Sequence, residues 1–314
     1  MDSVVITGAT SMVGIALVKE CIKNGTRVLA IVRPGSRNIS RLPKSDLIQM
    51  LESDLEDLDV IDSLNGYIGG VFFHLGWENT DKAGRLSPKM QSDNIGVTLS
   101  SVRLANRLGC KKFVGAGSQA EYGIHKEAKT TPGSYANPIT AYGITKLCAG
   151  KLASIEAGKF GMAFSWIRIF SLYGEYESKY TLIRTVIPKM LKNERCDLTK
   201  GVQQWDYLNV SDAAEAFYLV GEKSEGNKFY CLGSGHSKTI AEYIQDIKAA
   251  TGSDSELDFG SIPYEFEIPN GMCADISDLS NDTGWKPKTL FKNGIREIID
   301  REYCNKWLLR SCIK

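Results

Sequence analysis

The chain has 314 residues, 43% hydrophobic and 24% charged, which suits a soluble globular protein with one large domain or two small ones. Its formal net charge of +1 leaves no global field to gather nucleic acid or an anionic membrane surface. No apolar run is long enough to span a bilayer, and "MDSVVITG" reads as a first strand, not a signal peptide.

In chain order, short β-branched runs alternate with helical patterns. Residues 3–7 (SVVIT) form a strand, and 12–25 a helix with Val13, Ala16, Leu17 and Cys21 at helical spacing. Strands follow at 27–32, 47–51 and 70–75, then a long helix from Pro88 to Gly109. A strand at 112–117, a helix at 139–159 and a strand at 164–170 continue the rhythm. Apolar strands with little alternation are buried on both faces, so the expected fold is α/β, a doubly wound parallel sheet of the Rossmann type. Residues 1–170 would form the dinucleotide-binding domain. Residues 171–314 would form a smaller mixed α/β substrate lobe, with segments near 205–232 returning to the first domain. That lobe should carry one helix in 175–196, another from "SDAAEAFYLVGEK" opened by Ser211 or Asp212, a strand in "NKFYCLG", and helices near 239–251 and 290–309. The turn-rich "FGSIPYEFEIPNG" separates the last two. The eight cysteines form no CxxC pair, and His74, His125 and His236 are far apart, so no metal site is expected. With no export signal, reduced thiols in a cytoplasmic protein are the simplest account.

"ITGATSMVG" (6–14) is a strand running into a glycine turn and then a helix. Backbone N–H groups and the positive helix end meet there, which suits a pyrophosphate. Gly8 allows the turn and Gly14 lets the helix pack close. The spacing is G-x-x-S-x-x-G, neither GxGxxG nor a P-loop, so a purely structural turn stays open. About 20 residues on, where the adenine ribose is read, stand Arg33, Ser36 and Arg37 in "VRPGSR" and no carboxylate. Guanidinium forks suit a 2′-phosphate, hence NADP(H) over NAD(H), against a solvated basic loop. Asp54 could meet the adenine amino group or cap a helix.

Ser118 falls at the carboxyl end of the fifth strand, and Tyr142 and Lys146 lie four apart on one helix face. An ammonium beside a phenol lowers its pKa, and such a phenol can exchange a proton with a carbonyl or alcohol oxygen. Ser118 could hold the same oxygen. A lone YxxxK is an ordinary surface pair. A dinucleotide turn upstream and a strand-end serine make that account weaker.

Over nearly its whole length the chain resembles the extended short-chain dehydrogenases/reductases of the nucleotide-sugar epimerase/dehydratase/reductase kind. "TGATSMVG" resembles TGxxGxxG with Ser11 for the middle glycine, and "FFHLGW" the strand-four HLA segment. "GSQAEYG" resembles SSxxVYG, "TAYGITK" SPYGxSK, and "IRIFSLYG" RxFNVYG. "QWDYLNVSDAAEA" resembles RDFxxVxDxAxA, and "DTGWKPK" the late LGWxPK. The resemblance implies Ser118, Tyr142 and Lys146 as the catalytic trio. It implies cofactor contacts from Gly8, Thr10, Ser11, Met12, Val13, Gly14, Asp54, Leu55, Leu75, Gly76 and Asn94, besides Arg33, Ser36 and Arg37. It also implies a nucleoside diphosphate sugar held near Trp77, Gln119, Ser171 and Trp205, and a homodimer through the helices at 88–109 and 139–159. Gln119 and Ala120 replace the acidic pair of the dehydratases. Ser171 replaces an asparagine and Trp205 an arginine near the diphosphate, for which Arg184, Lys189 and Lys192 are candidates or a solvated face.

The expected function is an NADPH-dependent ketoreductase acting on a nucleotide-activated hexose. A nucleotide-sugar 4-epimerase is the alternative, and a non-catalytic NADP-sensing protein an alternative of another class.

Overall fold

The computed structural model describes residues 1–61, 70–124, 127–264 and 272–304. His125, the turn-rich stretch from 265 to 271 and the last part of the helix expected over 290–309 lie outside them.

Strand β1 (Ser3–Thr7) enters helix α1 (Met12–Lys23) through the glycine turn. Strands β2 (Arg27–Val32), β3 (Ile48–Glu52) and β4 (Val71–His74) follow. A short helix α2 (Lys82–Leu86) precedes the long α3 (Pro88–Arg107). Strand β5 (Lys112–Ser118), helix α4 (Ala141–Lys159) and strand β6 (Ala163–Ile169) complete the first half. The expected rhythm is present, with boundaries shifted by a residue or two, except that α2 had no signal in the sequence. The sheet order is β3–β2–β1–β4–β5–β6, and all pairs are parallel. Every residue of β1 is buried because Val4 and Ile6 pack into one core and Val5 into the core on the opposite face. That double burial is why the strands do not alternate.

Beyond β6 the chain is built from small pieces. Strands β7 (Ser171–Tyr173), β8 (Cys196–Leu198), β9 (Gln204–Trp205) and β10 (Tyr207–Asn209) surround helix α5 (Leu182–Met190). Helix α6 (Val210–Lys223) is capped by Asn209, whose side chain accepts from the Ser211 N–H. Neither Ser211 nor Asp212 is the cap: Asp212 lies inside the helix and accepts from Lys288 N, Thr289 N and Thr289 Oγ1. Strand β11 (Asn227–Leu232) joins the large sheet beside β6 as its seventh strand. Strands β12 (Lys238–Thr239) and β13 (Leu257–Phe259) pair with β9 and β8. Helix α7 (Ile240–Thr251) opens on a capping box and ends on Gly252 at φ +63°. Helices α8 (Ser277–Thr283) and α9 (Phe291–Ile299) follow, and α9 passes into a π-turn over Asp300–Cys304 where a longer regular helix was expected. The isoleucines of α5, α7 and α9 share a separate core with Tyr173 and Leu198.

Candidate active site

The carboxyl ends of β1, β2, β3 and β4 open onto one cavity of about 530 Å³. Gly8, Thr10 and Ser11 form its floor, Ile31 to Arg33 and Asn38 one wall, Ser53 and Leu55 another, and Leu75 to Asp81 the far side. Gly8 sits at φ +68°, and a Cβ there would lie 2.7 Å from Gly76 N, so the turn and the strand-four loop touch main chain to main chain. Ser11 holds an ordinary φ of −75° and caps α1, its hydroxyl accepting from Gly14 N at 3.0 Å. The serine that replaces the expected glycine thus takes one first-turn N–H for itself. The N–H groups of Met12 and Val13, ahead of it in the turn, have no intrahelical acceptor by helix geometry. The side chains of Met12 and Val13 point elsewhere: Met12 lines a small cleft behind α1, and Val13 packs against the core. A strand-end cavity with a helix N-terminus in its floor and walls of mixed polar and apolar residues suits a dinucleotide.

Arg33 lines the cavity, but Ser36 and Arg37 do not. Ser36 precedes a 3₁₀ turn that begins at Arg37, and Asn38 reaches the wall in their place. Asp54 precedes the 3₁₀ turn Leu55–Val60 without a capping bond, and Ser53 faces the cavity instead. Asn94 is buried and acts through the main chain: its Oδ1 accepts from Glu78 N at 2.8 Å and fixes the loop that forms the cavity's far side. His74 is buried among Thr7, Thr98 and Ser101 hydroxyls, and burial lowers its pKa to about 3, so it is neutral.

Ser118 ends β5 and opens a 3₁₀ turn, Gln119–Glu121, with Gln119 partly exposed beside it. Its hydroxyl lies near the Tyr142 phenol, whose pKa it lowers, and accepts from Ala120 N at 3.2 Å. Tyr142 and Lys146 lie on α4, and Lys146 is 4% exposed. The Lys146 ammonium donates to Ala116 O at 2.7 Å and lies 3.5 Å from the centre of the Trp77 ring. It stands 5.9 Å from the centre of the Tyr142 ring. Burial lowers the Lys146 pKa to about 7, against the pull of Glu121.

The expectation of an acidified phenol is overturned for this state. Burial raises the Tyr142 pKa, and Arg85 and the nearby Ser118 hydroxyl only partly oppose it. Arg85, on α2, lies 4.7 Å over the face of the Tyr142 ring. Trp77 meets Tyr142 edge-on and donates to Gln91 Oε1 at 3.0 Å. Sequence reasoning missed Arg85, Gln91 and Glu121, because no motif marks them. Only the acidic residue in "GSQAEYG", at a hydrophobic place, was a visible signal. Trp166 lies within β6 and is wholly buried.

A second cavity, of about 380 Å³, lies in the C-terminal half between α5, β8, β9, β10 and α7. Trp205, Tyr207, Thr185 and Lys189 line it. Ser171, paired to Tyr207 in the ribbon, is partly exposed and outside that lining. Of the candidate diphosphate cations only Lys189 reaches the cavity. Lys192 pairs with Glu194 on the surface. Arg184 is buried and turned away, donating to Gly174 O and to both oxygens of Glu302.

Among the described residues no group of three or more His, Cys, Asp or Glu could hold a metal. No described helix is long and apolar enough to cross a membrane.

Fold and sequence together define an extended short-chain dehydrogenase/reductase, an NAD-dependent enzyme. The chain belongs to the NAD dependent epimerase/dehydratase family, whose model matches residues 4–233. It is 24% identical over 309 residues to a UDP-glucose 4-epimerase of Lactobacillus helveticus, covering 91% of this chain and 92% of that protein. It is 24% identical over 306 residues to the CDP-abequose synthase of Salmonella muenchen, covering 94% and 96%. Among solved structures it resembles the UDP-glucose 4-epimerase of Thermotoga maritima with UDP-glucose, at TM-score 0.86 and 23% identity over 98% of this chain and 99% of that one.

Proposed function

We propose that this protein is a nucleotide-sugar 4-epimerase that withdraws and returns hydrogen at one sugar carbon. The observation that carries it is the meeting of Ser118, at the end of β5, with Tyr142 on α4, beside the strand-end cavity that Trp77 lines while it contacts Tyr142. Full-length likeness to 4-epimerases supports the reading. The dinucleotide, when bound, supplies hydride acceptance and donation. Residues around Gly8, Ser11 and the first turn of α1 would hold its pyrophosphate. Tyr142 would take the proton of the sugar hydroxyl and later give it back, while Ser118 bonds the same oxygen. Lys146, once uncovered from Trp77, would hold positive charge beneath the phenol and offset its burial. Gln119 and Ala120 offer no acid for loss of water, which argues against dehydration.

The second cavity, with Trp205, Tyr207 and Lys189, would take the nucleotide half of the substrate, so that residues from 171 onward act as the substrate lobe. A homodimer would form through α3 and α4. On α4, Ile144, Leu152 and Ile155 form an exposed apolar stripe.

A second reading, the NADPH-dependent ketoreductase, is favoured by Arg33 in the wall where a ribose 2′-phosphate would lie. Purified protein incubated with UDP-glucose and UDP-galactose separates the two. Interconversion with no net cofactor consumption supports the epimerase. Stoichiometric loss of NADPH with a 4-keto sugar nucleotide, and no interconversion, overturns it. In either case Tyr142→Phe should lower turnover by ~100-fold or more while cofactor still binds. Full activity in that variant removes the mechanism.

A further inference from the structure

Glu121 is a fully buried carboxylate one turn from Ser118. Its Oε1 accepts from Ser118 N at 2.9 Å and from Trp166 Nε1 at 2.9 Å, and its Oε2 accepts from Arg168 Nε at 2.7 Å. Both oxygens are therefore committed, and the carboxylate is held in one orientation. The motif that "GSQAEYG" resembles, SSxxVYG, has a serine at the place of Gly117 and a valine at the place of Glu121. The two departures form one unit. A Cβ at position 117 would lie 2.6 Å from Glu121 Oε1 and 2.4 Å from Trp166 Nε1. Only a residue without a side chain leaves room for the carboxylate and the indole to meet.

A buried ion pair that could be replaced by apolar residues is weak evidence for a role in stability. This one is placed against the chemistry. Its carboxylate bonds the main chain of Ser118 and the indole of Trp166, and the Lys146 ammonium lies 5.8 Å from the centre of that same indole ring. We propose that Glu121 is a positioning residue for the Ser118–Tyr142–Lys146 group: it fixes the Ser118 main chain and holds Lys146 as an ammonium inside a site that would otherwise strip its charge. The inference rests on the catalytic reading given above.

The charged and titratable groups around this carboxylate come from five elements. Arg168 pairs with it from β6 and also donates to Tyr122 Oη at 2.8 Å. Tyr142 and Lys146 face it from α4, and Cys231, on β11, contacts Tyr122 Oη. Arg85 stands beyond Tyr142 on α2 and opposes Glu121 at both α4 residues. His74, on β4, is neutral and feels Lys146.

The test follows Lys146 itself. In protein labelled at lysine, the Lys146 resonance is assigned by its loss in Lys146→Met and titrated by NMR. In the unaltered chain it should titrate near pH 7, as burial dictates. In Glu121→Gln, with the fold checked by circular dichroism, the titration should move to lower pH by ~0.5 unit or more, because an opposite charge has been removed. A merely structural acid would leave it in place, and an unmoved titration in the folded variant overturns the proposal. Should Glu121→Gln fail to fold because Arg168 is left unpaired, Glu121→Gln with Arg168→Met removes both charges. Glu121 is the member of the pair that favours the ammonium, so a downward move is again expected and an unmoved titration again overturns the proposal. Full turnover in Tyr142→Phe would instead overturn the underlying catalytic reading, whatever Lys146 does.

Discussion

The ammonium of Lys146 lies 3.5 Å from the centre of the Trp77 indole, and that same indole lines the strand-end cavity. A cation–π contact of this kind is worth about 2 kcal/mol when desolvated. A cofactor that engages Lys146 has to displace the ring. Adding NAD should therefore change the tryptophan emission, and Trp77→Phe should abolish that change while calorimetry still detects binding. An unchanged emission response in Trp77→Phe would show that the indole stays where it is.

Arg33 should discriminate between cofactors. Loss of charge-assisted bonds to a 2′-phosphate costs ~1.5–3 kcal/mol, so Arg33→Ala should weaken NADP binding by ~10- to 100-fold. NAD binding should stay within about threefold. Arg37→Ala should change neither, since Arg37 is not in the cavity wall. Equal losses for both cofactors would mean that Arg33 holds the loop and not the phosphate.

His74 makes stability depend on pH. Its folded pKa is lowered to about 3 by burial, against about 6.5 in an unfolded chain. Between those values the unfolded chain binds a proton that the folded one refuses. The stability that comes from neutral His74 is thus present above pH ~6.5 and is lost as pH falls, by up to ~1.4 kcal/mol per unit. From pH 6.5 to 5 the unaltered protein should lose ~2 kcal/mol more in urea unfolding than His74→Asn does. Equal slopes would place a water or a compensating charge beside the ring.

Ile155 is 61% exposed on α4, in line with Ile144 and Leu152. If the stripe is covered by a second copy, sedimentation should find a dimer, and Ile155→Glu should convert it to monomer at micromolar concentration. A monomeric unaltered protein would leave the stripe without that partner.

The sheet was legible because parallel strands buried on two faces leave unbroken apolar runs, as SVVIT and RVLAIV do. The Ser11 substitution was visible, but its consequence was not: whether the hydroxyl points at a ligand or back at Gly14 N depends on the cap geometry of α1. The pairing of Tyr142 with Lys146 followed from spacing along one helix. The direction of the tyrosine's pKa did not, because burial comes from Trp77 and α2, which reach it across the chain. Arg184 misled for a similar reason. Charge is written in the sequence, whereas the partner that consumes it, such as Glu302 for Arg184, is set by folding.

The bond between Arg184 and Glu302 ties the back of α5 to the turn that follows α9, while Thr185, Val186 and Lys189 on the same helix line the second cavity. Clipping the chain ahead of Glu302 would cut that guy-rope and leave the buried guanidinium, among the described residues, with Gly174 O and Glu177. The helix that lines the C-terminal cavity is thus braced by Glu302, which is not one of the lining residues, and proteolytic trimming there would be a way to lose grip on a ligand without altering a lining residue of the pocket.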